Sequence, residues 1–110
     1  MTNLRIKQLF DLLKNDPEDS FLQYAIAKEY EKTEDLDSAL SYYNTLVDKD
    51  PEYVGTYYHM GKLLEKMQKQ VEALHTYDKG IAMAEQLNDL HSLSELKSAR
   101  MNLIIELDDL

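Results

Sequence analysis

Three histidines are the residues of this chain whose type and spacing could bind a metal ion. His59, His75 and His91 stand 16 residues apart, and imidazole is a frequent ligand of zinc. This spacing places the three histidines on successive helices. His75 is expected to face outward beside Leu74, so the three rings are not expected to converge. We therefore predict no metal site.

Two groups of acidic residues could supply the paired carboxylates of a general acid and base. The groups are Asp16, Glu18 and Asp19, and Glu34, Asp35 and Asp37. Both fall where helices are expected to begin, and carboxylates there cap free backbone N–H groups and complement the helix dipole. The sequence has no cysteine, glycine-rich phosphate loop, serine elbow or HExxH zinc motif. We predict that the protein is not an enzyme and holds no cofactor.

The balance of charge excludes several classes of partner. Acidic residues number 21 and basic residues 12, so the formal net charge is -9. Because nucleic acids and anionic membranes are themselves negative, this acidic chain is not expected to bind either. No apolar run approaches the roughly 20 residues that cross a bilayer. The lack of cysteine and of a signal-peptide pattern leads us to expect a complete cytoplasmic protein.

A repeat indicates the elements that position these side chains. Glycine and proline are scarce, which favours helices, and the two prolines, Pro17 and Pro51, both follow an aspartate and stand 34 residues apart. When residues 16–49 are aligned without a gap on residues 50–83, ten of the 34 positions are identical. Each unit then has the pattern of two amphipathic helices.

These patterns predict an all-α chain of six helices. The predicted helices span residues 3–15, 18–32, 36–49, 52–67, 70–86 and 89–107. The helix before Pro17 is similar to the second helix of an incomplete earlier repeat. We divide this single domain into a half-repeat helix at 1–15, a first repeat at 16–49, a second repeat at 50–85 and a C-terminal capping helix at 86–110.

Small and aromatic residues recur within each unit in a family pattern. The first unit contains Gln23-x2-Ile26-Ala27-x2-Tyr30, then Ala39-x3-Tyr43, then Pro51. The second contains Tyr57-x2-Met60-Gly61-x2-Leu64, then Ala73-x3-Tyr77, with Glu85 where proline is usual. The chain therefore resembles the tetratricopeptide repeat family over almost its whole length. Gln23 departs from the pattern, which usually has an aromatic residue there.

The resemblance implies a fold and a class of function. Such repeats stack as antiparallel helix pairs into a right-handed superhelical solenoid. Members of the family bind proteins in a concave groove lined by the first helix of each pair, so the resemblance implies an adaptor or scaffold with a protein or peptide partner. The residues expected to bind that partner are Tyr24, Lys28, Glu31, Lys32, Tyr53, Tyr58, His59, Lys62, Glu65 and Lys66.

Four of these positions are identical in the two units. We call Tyr24, Lys28, Glu31 and Lys32 the first ladder, and Tyr58, Lys62, Glu65 and Lys66 the second ladder. Tyrosines offer rigid surface with a polar tip and lysines offer positive charge, so the ladders suit an extended peptide or C-terminal tail with acidic groups. The alternative is a duplication that has not diverged, in which the lysines solubilise the helices and pair with the ladder glutamates.

One subfamily with this resemblance binds the terminal carboxylate of chaperone tails. It uses Lys and Asn, then Asn, then Lys and Arg on successive first helices. The corresponding residues here are Tyr24 and Lys28, then His59, then Asp89 and Leu93. None matches in type, so we do not expect that role.

The last helix offers a second candidate surface, because its apolar residues cover more than half of its circumference. Docking against the two preceding helices would bury most of this arc. The alternative is an exposed apolar strip that forms a homodimer. The residues expected to take part in self-association are Leu96, Leu103, Ile104 and Leu107, and Leu110 would extend the strip.

Overall fold

The computed structural model describes residues 3–108 and contains six α-helices, with no strand in that range. The helices are α1 (Leu4–Asn15), α2 (Ser20–Lys32), α3 (Leu36–Lys49), α4 (Gly55–Lys66), α5 (Gln70–Leu87) and α6 (Leu90–Asp108). The all-α class and the six helices expected from the sequence are confirmed. The contribution expected of Leu110 to an apolar strip lies outside the described residues.

The chain divides into two compact units, Met1–Asp50 with α1 to α3 and Pro51–Leu110 with α4 to α6. In the first unit, α2 packs against α1 and α3. In the second unit, α5 packs against α4 and α6, and α4 makes a smaller contact with α6. Packing within each unit therefore joins mainly helices that are neighbours along the chain.

Polar side chains fix where four of the helices begin. Asn3, Asp19, Asp35 and Asp89 accept hydrogen bonds from the backbone N–H groups of Ile6, Leu22, Ser38 and Ser92, at 3.1, 3.0, 3.3 and 3.1 Å. Because Asp19 is the cap, α2 begins at Ser20 and not at the predicted residue 18. The helix α4 also begins later than predicted, at Gly55, because residues 51 and 52 form a turn.

A turn of the same conformation separates the two helices of each pair. Glu34 and Gln68, which stand 34 residues apart, have φ angles of 65° and 64°. This left-handed conformation is a common way to end a helix. In both turns the next backbone N–H donates to the carbonyl five residues earlier, at 2.9 and 2.8 Å. The 34-residue period of the sequence is therefore also a period of the backbone.

A fully buried tyrosine packs the second helix of each pair against the first. Both Tyr43 and Tyr77 are completely inaccessible to solvent. A Cβ atom built on Gly61 would stand only 2.2 Å from Cε1 of Tyr77. The equivalent residue of the first unit, Ala27, is also small and fully buried. In the second unit, Gly61 therefore forms a notch that admits the tyrosine ring.

Gln23 makes the same contact as the aromatic residue that occupies its position in the second unit. Nε2 of Gln23 donates to the carbonyl of Pro17 at 2.8 Å. The hydroxyl of Tyr57 donates to the carbonyl of Pro51 at 2.7 Å. Both side chains are buried, so each ties the first helix of its pair to the turn before it.

We predict that Gly61→Ala destabilises the protein, although alanine favours a helix over glycine by about 1 kcal/mol. The added methyl group overlaps the ring of Tyr77, and overpacking of this kind costs about 1–3 kcal/mol. Urea unfolding followed by circular dichroism should show a net loss of about 1 kcal/mol in the free energy of unfolding.

Gly55→Ala is the matched control, because no atom lies within 4 Å of a Cβ atom built at that position. Its stability should be unchanged or raised by up to about 1 kcal/mol. If Gly61→Ala is as stable as Gly55→Ala, the tyrosine ring moves aside at little cost and the notch does not fix it.

Candidate functional site

Each ladder lies on the first helix of a helix pair, the first ladder on α2 and the second on α4, with its lysines accessible to solvent. Lys32, Lys62 and Lys66 are exposed, and Tyr24, Lys28 and Tyr58 are half-buried. Tyr53 and His59, which the sequence also selected, are half-buried. The rings of Tyr58 and His59 meet edge to face at 5.4 Å. Each unit by itself therefore presents tyrosine surface beside positive charge.

The glutamate of each ladder joins the two helices of its pair. In the first unit, the hydroxyl of Tyr43 donates a short hydrogen bond to Oε2 of Glu31. Nζ of Lys28 stands 3.8 Å from the same oxygen. Glu31 is thus engaged from two sides, by the second helix of the pair and by its own helix.

The second unit repeats this arrangement with the equivalent residues. The hydroxyl of Tyr77 donates a short hydrogen bond to Oε2 of Glu65, and Nζ of Lys62 stands 3.9 Å from that oxygen. The glutamates of the two ladders therefore hold the fold together. The pairing of lysines with glutamates, which the sequence left as the alternative explanation of the ladders, is present in both units.

These contacts keep the two buried tyrosines protonated. Burial, followed by the hydrogen bond to Glu31, raises the pKa of Tyr43 far above its ordinary value. The same causes, with Glu65 as the partner, raise the pKa of Tyr77. Both hydroxyls are therefore permanent hydrogen-bond donors in the folded protein.

The lysines of the ladders keep the capacity to bind an acidic group. The side chains of Lys28 and Lys62 are 42% and 51% exposed, and each ion pair is long for its type. Pairs between such exposed residues contribute about 0–1 kcal/mol, so a ligand carboxylate can compete for the ammonium group.

In the sequence, Tyr43 and Tyr77 stood out only as aromatic positions of the family pattern, and they were not connected to the ladders. A signal for the connection existed in the repeat. Glu31 and Tyr43 are 12 residues apart, and both recur with the same spacing as Glu65 and Tyr77. Two positions that recur together in this way are candidates for a contact between the helices.

The last helix is more buried than its proposed role in self-association requires. Leu96 and Leu103 are each 1% exposed, and Cδ1 of Leu96 lies 3.0 Å from a Cβ atom built on Gly80. The structure therefore corrects the choice of these two residues for self-association, because they form the core of the second unit. Ile104 and Leu107 are half-buried. The large apolar residues exposed on α6 are Leu90, Met101 and Ile105.

The histidines and acidic residues that the sequence suggested as metal ligands or catalytic groups do not form such a site in the described residues. His75 and His91 are exposed, and no group of histidine, aspartate and glutamate side chains within residues 3–108 is arranged to hold a metal ion. Oδ2 of Asp89 accepts from Oγ of Ser92 at 2.8 Å, in addition to the cap contact. None of the described helices combines the length and the apolar character needed to cross a membrane.

Several solved structures are similar to this chain. The solution NMR structure of a tetratricopeptide repeat domain protein from Salinibacter ruber is 43% identical, covers 80% of this chain and 89% of that chain, and has a TM-score of 0.77. The TPR2B domain of yeast Sti1 in complex with pHsp70 is 21% identical, covers 92% and 81%, and has a TM-score of 0.83. The type III secretion translocator chaperone SycD of Yersinia enterocolitica is 14% identical, covers 94% and 72%, and has a TM-score of 0.79. No protein-family model and no curated protein matches the chain.

We predict that Tyr43 and Tyr77 ionise only when the protein unfolds. Because the folded state raises the pKa of both, their contribution to stability is complete below about pH 10, the ordinary tyrosine pKa, and is lost as the pH rises above it. The chain has eight tyrosines. Tyrosinate absorbance recorded together with circular dichroism should show the last fraction titrating along with the loss of helix.

The double variant Tyr43→Phe, Tyr77→Phe should have a smaller delayed fraction than the wild type, whereas Tyr58→Phe, at a half-buried ladder position, should leave that fraction unchanged. Ionisation of all eight tyrosines near pH 10 with the helices intact would contradict the assignment of the two hydroxyls as buried donors.

Proposed function

This chain belongs to the tetratricopeptide repeat family, and from that premise we propose that it is a protein-binding adaptor. The partner is an extended peptide segment with acidic groups, bound by the tyrosines and lysines of the two ladders in the groove that the family resemblance implies. The proposal keeps 16–49 and 50–85 as the repeats, with 1–15 and 86–110 as flanking helices. The lack of cysteine supports the cytoplasm as its location.

The recurrence of the ladder tyrosines and lysines at accessible positions carries this proposal. The glutamates recur because the fold uses them, as the hydrogen bonds from Tyr43 and Tyr77 show. Lys32 is exposed and recurs as Lys66, which is exposed as well. Recurrence of exposed cations beside tyrosine surface is what an acidic, partly apolar peptide would require.

Structures of similar fold support a protein as the partner. The TPR2B domain of yeast Sti1 is in complex with pHsp70, and the TPR2AB domain of the same protein is in complex with pHSP90. SycD is described as a translocator chaperone. The residues that clamp chaperone tails in that subfamily are not matched here, so the ladders are proposed to take a different acidic sequence.

A pull-down from native lysate, read by mass spectrometry, tests this proposal. The ladder variant replaces Tyr24, Lys28, Tyr58 and Lys62 with alanine, and the control variant replaces the exposed Lys79 and Lys97, which lie outside both ladders. We expect a partner that the wild type and the control variant retain and the ladder variant loses. Circular dichroism confirms that all three proteins are folded.

The single variant Lys62→Glu gives the quantitative form of the test. Against the captured partner it should weaken binding by about tenfold or more, because it reverses one charge in a charge-assisted contact. Its melting temperature should be nearly unchanged, since an exposed ion pair adds little stability. A partner held equally by the wild type and both ladder variants would contradict the assignment of binding to the ladders.

A second candidate function is a homodimer formed through α6. The observation that favours it is the exposure of Leu90, Met101 and Ile105, which are 67%, 57% and 52% accessible. Exposed apolar side chains that share one helix are a feature of interaction surfaces. In this form of the proposal, half-buried Ile104 and Leu107 flank the contact.

Light scattering over a range of protein concentrations separates this candidate from the monomeric adaptor. A homodimer predicts a mass that rises with concentration for the wild type, and a constant monomer mass for Met101→Gln, Ile105→Gln. Both positions are exposed, so the variant should fold. A monomer mass at every concentration for the wild type would end the homodimer hypothesis.

A further inference from the structure

The first unit contains an open apolar hollow that is separate from its ladder. The hollow has a volume of about 430 Å³ and is lined by Phe10, Leu13, Lys14, Pro17 and Tyr42. These residues come from α1, from the turn after it and from α3, whereas the first ladder lies on α2. Its volume falls within the range of ligand pockets, about 300–1,000 Å³.

An aromatic cluster makes one wall of the hollow rigid. The rings of Tyr30 and Tyr42 stack at 5.8 Å. Phe10 meets both of them edge to face, at 6.4 Å from Tyr30 and 6.1 Å from Tyr42. Interlocked rings lose little further freedom when a ligand binds, which favours binding.

The lining of the hollow does not recur in the second repeat. Moving each lining residue forward by 34 positions gives Asn44, Val47, Asp48, Pro51 and Thr76. Phe10 and Tyr42 thus correspond to polar residues, and Lys14 corresponds to an acidic one. The helix ends are nevertheless equivalent, since Asp16 and Asp50 both follow their helices with similar backbone angles. The aromatic lining and the positive charge are therefore particular to this place.

The charge of the hollow indicates what kind of group binds beside the apolar part. Lys14 is the one charged residue of the lining, in a chain with a net charge of -9. Its side chain is 78% exposed and its contact with Asp11 is 3.9 Å long, between two exposed groups. Such a pair adds little stability, so an incoming carboxylate can replace Asp11.

We propose that this hollow binds a large aromatic or aliphatic side chain of a partner polypeptide, with an adjacent acidic residue of that partner on Lys14. The apolar side chain covers Phe10, Leu13 and Pro17, and the acidic residue satisfies the ammonium group at the edge. This site shares no residue with the ladders, so the proposal for the hollow can be tested separately from the proposal that the ladders bind a partner.

Because the protein has no tryptophan, a tryptophan peptide reports binding directly. The probe is the capped peptide Gly-Asp-Trp-Asp-Gly, with Gly-Lys-Trp-Lys-Gly and Gly-Asp-Ser-Asp-Gly as matched peptides. The titrations with the two tryptophan peptides are run on the ladder variant, in which Tyr24, Lys28, Tyr58 and Lys62 are alanine, so that binding at the ladders is weakened. We expect a blue shift of the tryptophan emission for the acidic probe and a much smaller one for the basic peptide.

Two variants that copy the other repeat locate the site. Lys14→Asp introduces the residue found at position 48, and Tyr42→Thr introduces the residue found at position 76. Lys14 is exposed, so Lys14→Asp should fold as the parent does, and it should lower affinity for the acidic probe by about tenfold. Tyr42→Thr should lower affinity for both tryptophan peptides, and its folding is checked by circular dichroism. Backbone amide shifts in ¹⁵N-labelled protein should change around residues 10–17 and 42.

Four outcomes would overturn the proposal. The first is no emission change with the acidic probe at millimolar concentration. The second is equal affinity of Lys14→Asp and its parent. The third is a set of amide shift changes confined to α6 or to residues outside the hollow. Equal binding of the serine peptide in the amide shift experiment would likewise show that the apolar side chain is not what the hollow recognises.

Discussion

The packing of each helix pair depends on one tyrosine of its second helix. The ring of Tyr77 occupies the notch at Gly61, and its hydroxyl reaches Glu65. Ring and hydroxyl together fix both the separation of the helices and their register, because a shift along the helix axis would break the hydrogen bond to the carboxylate. Tyr43 and Glu31 impose the same constraint in the first unit. The orientation of every ladder side chain follows from this register, since the ladders share their helices with the two glutamates.

The carboxylate of each ladder has a structural role, whereas the lysine beside it lies at the surface. Glu31 and Glu65 serve the fold, and their exposure is correspondingly low, at 22% and 18% of the side chain. The lysine that contacts each glutamate is more exposed, so its ammonium group is paired with the glutamate and is also accessible to solvent.

The sequence predicts the period, the order of the helices and the placement of the ladders, because these depend on local patterns. It does not predict contacts that depend on how two helices meet. At position 23 the amide of a glutamine makes the hydrogen bond to Pro17 that a tyrosine makes at the equivalent position of the second repeat. A sequence motif records this substitution only as a mismatch. Leu96 and Leu90 lie on the same helix, but Leu96 is buried beside Gly80 of α5 whereas Leu90 is exposed. The sequence of α6 alone does not distinguish them. The hollow beside Phe10 joins residues more than 30 positions apart, so no local pattern contains it.

The pairing of successive helices has a consequence for how quickly the chain can fold. Each main contact joins two helices that are neighbours along the chain and are linked by a segment of only two to four residues, because α1 meets α2, α2 meets α3, α4 meets α5 and α5 meets α6. Short loops cost little entropy to close, and chains with mostly local contacts fold in microseconds to milliseconds. Such a chain spends little time with Leu46, Leu63 or Tyr77 uncovered. Rapid formation of each helix pair thus limits aggregation while the protein is being made.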